Sequence, residues 1–143
     1  MKFKIALSAL ALAAAGPAVA EDFSGDAEAG AGVFLQCQTC HVVKDGEGNL
    51  LAGAAGMVGP NLYGIAGQPA GSVENFGRYS PAMMAAKDQG LVWTEENLVA
   101  YIASPNAFLA DFIGDTGIRG SMPIGAPNEA AAANVAAFIA SLD

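Results

Sequence analysis

The chain has 143 residues, six of them basic and fourteen acidic, for a formal net charge of −8. That balance offers no basic patch to neutralise phosphates and argues against nucleic acid as a partner. It suits a protein that meets a basic partner, that works where salt screens its self-repulsion, or that charge simply keeps soluble.

Residues 1–20 read "MKFKIALSALALAAAGPAVA". Lys2 and Lys4 precede an apolar run from Ile5 to Ala15, and small residues follow up to Glu21. This is the pattern of a Sec-type signal peptide cleaved after Ala20, and the run is short for a membrane anchor. The expected organisation is therefore a signal peptide over 1–20 and one domain over 21–143. Losing Lys2 and Lys4 would take the net charge from −8 to −10. No other stretch is long and apolar enough to span a bilayer.

Four helices are expected in the remainder. Over 26–37, Gly30, Val33, Phe34 and Cys37 share a stripe, with Asp26 and Glu28 in the first turn. Residues 80–88 open on a Ser80 cap and a first-turn proline, Pro81. Over 94–103, Thr94 caps, Glu95 and Glu96 favour the helix start, and Leu98, Tyr101 and Ile102 point inward. The fourth, 127–142, opens on Pro127 and Glu129 and presents Val135, Phe138, Ile139 and Leu142. A short helical turn is expected after Ser104-Pro105. No strand pattern stands out, and 45–79 and 112–126 read as glycine-rich loop. Such long loops sit poorly in a compact domain with so few helices. A large apolar cofactor at the centre resolves both difficulties.

The stretch "CQTCH" holds both cysteines and the single histidine of the chain. Cys37, Cys40 and His41 fall at i, i+3 and i+4, positions that share a helical face. Two thiols one turn apart can each add to a vinyl group on one haem edge, and the histidine then lies under the iron. C-x-x-C-H is the attachment signature of haem c. A disulfide is the ordinary alternative in an exported chain. A redox pair of thioredoxin type would require a βαβ setting, and zinc would require a fourth ligand that no further cysteine or histidine supplies. His41 is thus the expected proximal ligand through Nε2. Its Nδ1–H needs an acceptor, and "GPNL" at 59–62 offers the Pro60 carbonyl. For the sixth ligand a methionine thioether suits an electron carrier. Met83 and Met84 lie in an expected helix, where methionine is usually core filler. Met57 lies in a glycine-rich loop. Met122, in "RGSMPIG", sits on an irregular segment stiffened by Pro123 and is the expected ligand; the alternative is an open or water-filled position.

With "GDAEAGAGVFLQCQTCHVV", "GPNLYGIAG", "GLVWTEENLVAYIASPNAFL" and the last helix in this order, the chain resembles the class I c-type cytochromes. It is most similar to cytochrome c2 of purple bacteria and its respiratory relatives. The resemblance implies an all-α cytochrome c fold, with four to five helices and long loops wrapped around one covalently attached haem. It implies one haem c bound through Cys37 and Cys40, with His41 and Met122 as axial ligands and Pro60 accepting from His41. Tyr79 and Trp93 match positions whose polar tips bond a haem propionate, and Tyr101 matches a tyrosine near the methionine sulfur. Plain core packing is compatible with each of the three. Gly30 and Phe138 match the crossing of the first and last helices.

Two departures stand out. Gln68 occupies a place where the family often has an arginine near the buried propionate. The lysines that commonly ring the exposed haem edge are largely missing, with Ser121 directly before the methionine. By resemblance the protein is a soluble, monomeric, periplasmic electron carrier and not an enzyme. It would cycle Fe(II)/Fe(III) between a bc1-type complex and a photosynthetic reaction centre or terminal oxidase, docking transiently on each. The competing reading is a ligand-binding or weakly catalytic haem protein with an open sixth site.

Overall fold

The computed structural model describes residues 23–54, 56 and 58–143. The expected cleavage after Ala20 and Met57 therefore lie outside the described residues. Helix α1 spans Ala27–Cys37 and starts where Asp26 accepts from Ala29 N at 3.0 Å. Helix α2, Pro81–Asp88, has Ser80 accepting from Met83 N at 3.1 Å and a proline at its start. Helix α3, Glu95–Ala103, is capped by Thr94, and α5, Glu129–Ala140, by Asn128. Each of these caps satisfies an N–H group left unpaired at a helix start.

Helix α4, Pro105–Ile113, is a full nine-residue helix where only a short turn was expected. A break at Ser104 (φ −150°, ψ 75°) separates it from α3, and Pro105 suits the first helical position. Leu109 is wholly buried beneath it, and Gly114 ends it in the left-handed conformation, φ 72°. The stretch expected to hold no strand contains a small hairpin: β1, Val42–Lys44, pairs antiparallel with β2, Leu50–Gly53. Its register sets Val42 opposite Gly53 and Val43 opposite Ala52, with an irregularity at Lys44. Strands this short carry too little alternation to be read from sequence. The turn is held by Asp45, whose carboxylate accepts from the backbone N–H groups of Glu47 and Asn49 and from Asn49 Nδ2, at 2.8–2.9 Å. Those bonds hold its carboxyl below the usual carboxylate range.

The fold is nonetheless helical, with five helices and one two-stranded hairpin among the described residues. Helices α1 and α5 cross at Gly30, where a Cβ would overlap the Asn134 carbonyl oxygen and approach Phe138 Cβ to 2.8 Å. Only glycine lets the two backbones come this close. Beside the crossing the rings of Phe34 and Phe138 lie 5.4 Å apart. Helix α3 packs on α5 and α4, and α4 on α2. Buried Phe34, Leu98, Ile102, Val135 and Ile139 form one apolar cluster with Leu91 and Leu109. The loop at 65–70 is stitched to 91–93 by Gly67 N to Trp93 O, Trp93 N to Gln68 O and Ala70 N to Leu91 O, each 2.8 Å. Among the described residues no helix is long and apolar enough to cross a membrane.

Candidate functional site

A cavity of about 780 Å³ opens in the middle of this cluster. Leu98, Ile102, Val135 and Ile139 line it as well as the core, so much of the apolar centre faces the cavity rather than other side chains. That volume is in the range of sites for large organic ligands. Cys37, Cys40, His41, Pro60, Tyr79, Trp93, Tyr101 and Met122, drawn from opposite ends of the chain, all stand in its wall.

The attachment stretch is built at the end of α1. Cys40 N and His41 N both donate to the Cys37 carbonyl, at 3.0 and 2.9 Å, folding the chain back in one turn. Cys37 and Cys40 are free and half-buried. Burial, and then the neighbouring Cys40, push the Cys37 thiol up. His41 Nδ1 lies 2.8 Å from the Pro60 carbonyl oxygen, the acceptor expected from "GPNL". With Nδ1 as donor, Nε2 keeps its lone pair for a metal. Burial lowers the His41 pKa and the Pro60 bond opposes it, so the ring is held neutral, the state in which imidazole ligates. Two free thiols, one neutral imidazole and an apolar cavity fit a covalently attached haem. Among the described residues no group of three or more His, Cys, Asp or Glu side chains could hold a bare metal ion.

The proximal backbone is tied further along. Gly59 N donates to the Cys40 carbonyl at 2.8 Å and Leu62 N to the Val42 carbonyl at 2.9 Å. Asn61 Oδ1 accepts from Lys44 N (2.9 Å) and Tyr63 N (3.2 Å), and Asn61 Nδ2 donates to the Lys44 carbonyl at 2.7 Å. The 59–62 loop thus runs along β1 on the side away from β2.

The remaining wall is aromatic. The Trp93 and Tyr101 rings lie 4.9 Å apart, and Tyr101 meets Phe108 edge-on at 6.1 Å. Burial, and then nearby Tyr79, push the Tyr101 phenol up to about 12. The Tyr79 phenol is also raised by burial, and its oxygen accepts from Val73 N at 3.2 Å. Met122 is half-buried on the loop between α4 and α5. That loop is fastened by Gly120 N to Asn106 Oδ1 and by Ala126 N to the Ile102 carbonyl, both 2.8 Å. Met83 also lines the cavity, deep in the core at 7% exposure, whereas Met84 on the same helix is 36% exposed.

Gln68 lines the cavity where a cation was missed in the sequence. Sequence reading overlooked Arg78, which lines the same wall with its guanidinium 5.6 Å from the Phe76 ring centroid. Its adjacency to Tyr79 was the available signal.

No protein-family profile matches the chain. It is 44% identical over 140 residues to cytochrome c2 of Cereibacter sphaeroides, covering 97% of this chain and 95% of that one. It is 47% identical over 121 residues to cytochrome c2 of Rhodovulum adriaticum, covering 85% and 95%. Among solved structures, cytochrome c2 from Rhodobacter sphaeroides superposes with a TM-score of 0.79 at 43% identity, over 82% of this chain and 95% of that one. Ferric cytochrome c-550 from Paracoccus versutus superposes with a TM-score of 0.76 at 32% identity, over 82% and 97%.

Proposed function

The chain belongs to the cytochrome c2 family of electron-transfer proteins, and from that premise we propose that it is a periplasmic carrier working between a bc1-type quinol-oxidising complex and a photosynthetic reaction centre or terminal oxidase. The haem c held through Cys37 and Cys40 supplies a one-electron Fe(II)/Fe(III) couple. The chain's own part is to hold that group by two thioethers, exclude water and keep the axial donors in place. His41 offers Nε2 while Pro60 holds Nδ1–H, which fixes the tautomer and raises the basicity of the ring. Met122 offers its thioether from the far loop. Tyr79 and Trp93 serve the propionate end of the group, with Arg78 as a nearby guanidinium in place of the one absent at Gln68. Tyr101 stands near the methionine. His41 and Met122 both stand in the cavity wall, so little of the chain would have to move when the bound group gains or loses an electron. The carrier is a monomer that docks transiently.

The observation that carries this reading is one cavity that gathers both thiols, the single imidazole and the Met122 thioether. A second reading, an open sixth position that binds gases or weakly activates peroxide, draws on the place of Met122 on a half-exposed loop. One substitution separates them. The ferric wild type is expected to show the far-red sulfur-to-iron charge-transfer band, and Met122→Ala to lose it and to bind carbon monoxide when reduced. A wild type without the band favours the open site. A band that survives in Met122→Ala shifts the role to Met83.

A further inference from the structure

Gly59 sits where the chain entering Pro60 meets the attachment stretch. A Cβ there would overlap Cε1 of the His41 ring and lie 2.6 and 2.7 Å from Nδ1 and Nε2. These three ring atoms are the nearest it would meet, and all lie inside the 3.0 Å that real Cβ atoms respect. Gly59 is not among the glycines with left-handed backbone. Its φ is therefore not what excludes a side chain, and the imidazole is what a Cβ would strike. The next residue supplies the acceptor for Nδ1 at 2.8 Å, while Gly59 N is pinned to the Cys40 carbonyl at 2.8 Å. The ring is thus held between a wall at Gly59 and a hydrogen bond at Pro60, both anchored to the turn that carries the cysteines.

We propose that Gly59 is a positioning residue for the axial imidazole. Its bare Cα is the surface against which the His41 ring is set, so that Nδ1–H reaches Pro60. The proposal rests on His41 being the proximal ligand. Adding one methyl must rotate the ring or push the 59–62 loop away, and either motion weakens the bond to Pro60. An imidazole that loses this bond is a poorer electron donor and favours the ferrous state.

The test uses the haem-loaded full chain as wild type, as Gly59→Ala, and as Gly77→Ala, a control whose added Cβ would meet nothing within 4 Å. Hyperfine-shifted proton resonances of the His41 ring are recorded for the ferric proteins, together with midpoint potentials. Gly59→Ala is expected to move the ring resonances and to change the ferrous/ferric ratio at a fixed potential about tenfold toward ferrous, which is ~59 mV for one electron. Gly77→Ala is expected to leave both unchanged. Unaltered resonances and potential in Gly59→Ala overturn the proposal. Should that variant fail to load haem, the reduced wild type decides: a nuclear Overhauser contact between Gly59 Hα and His41 Hε1 supports the wall, and its absence overturns it. A wild type that lacks hyperfine-shifted imidazole resonances overturns the His41 assignment itself, an outcome visible without any variant.

Discussion

The two sides of the cavity are held by different physics. The proximal side, from Cys37 to Leu62, is a mesh of short hydrogen bonds: Cys37 to His41, Cys40 to Gly59, Val42 to Leu62, and Lys44 to Asn61 twice. The distal side leans on rings. Trp93 just before α3, Tyr101 on α3 and Phe108 and Phe112 on α4 contact one another in sequence, with centroids 4.9–6.1 Å apart. Hydrogen bonds are directional and fix a ligand's angle. Aromatic packing excludes water but tolerates small shifts. The side bearing the histidine is therefore built for fixed orientation, and the ring-built side for dryness.

Alkaline pH acts on the ring-built side through Tyr101. Tyr101 ordinarily ionises near 10.0 and is pushed up to about 12 in the fold. Its raised value means that its stabilising contribution is complete below pH 10 and is lost as pH rises toward 12, because the unfolded chain releases the proton first. Two units correspond to about 2–3 kcal/mol. Denaturant unfolding at pH 9 and pH 12 is expected to show that loss in the wild type and a smaller one in Tyr101→Phe. Equal losses would remove Tyr101 as the cause.

Removing a knot of the mesh has a slightly smaller effect. Asn61→Ala deletes three hydrogen bonds near the surface and is expected to cost about 1–3 kcal/mol in denaturant unfolding. Access of carbon monoxide to the reduced iron should stay at the wild-type level, since the distal loop is untouched. The smallest stability change belongs to Asn106→Ala, which releases Gly120 and is expected to cost about 1 kcal/mol. Here carbon monoxide binding should quicken. If Asn61→Ala opens the iron and Asn106→Ala does not, the division between the two sides is wrong.

What could be read in advance was what is local. The caps Ser80 and Thr94 announce α2 and α3 within four residues, and "CQTCH" places three side chains on one turn. Helix α5 is shorter than expected because Asn128, not Pro127, accepts from the first turn at Ala131 N. Helix α4 was underread because a single residue, Ser104, separates it from α3. The hairpin and the Gly59 contact depend on pairings across loops, which leave no periodic trace. The place of Met122 in the cavity wall was legible through its neighbour Pro123, but that of Met83 in the same wall was not, because a methionine on a helix face looks alike whether it meets core or cavity.

The close crossing at Gly30 makes the attachment site depend on a distant part of the chain. Gly30 and Asn134 are separated by about a hundred residues, and closing a loop of that length carries an entropic cost of about 4 kcal/mol beyond its constant term. Helix α1, which ends on the first of the two thiols, therefore has this seat only when α5 is in place. Until then "CQTCH" is a motif on an unseated helix, open to whatever chemistry requires free thiols. With α5 in place, the same residues stand in the wall of the cavity. The C-terminal helix acts as a latch on the attachment site.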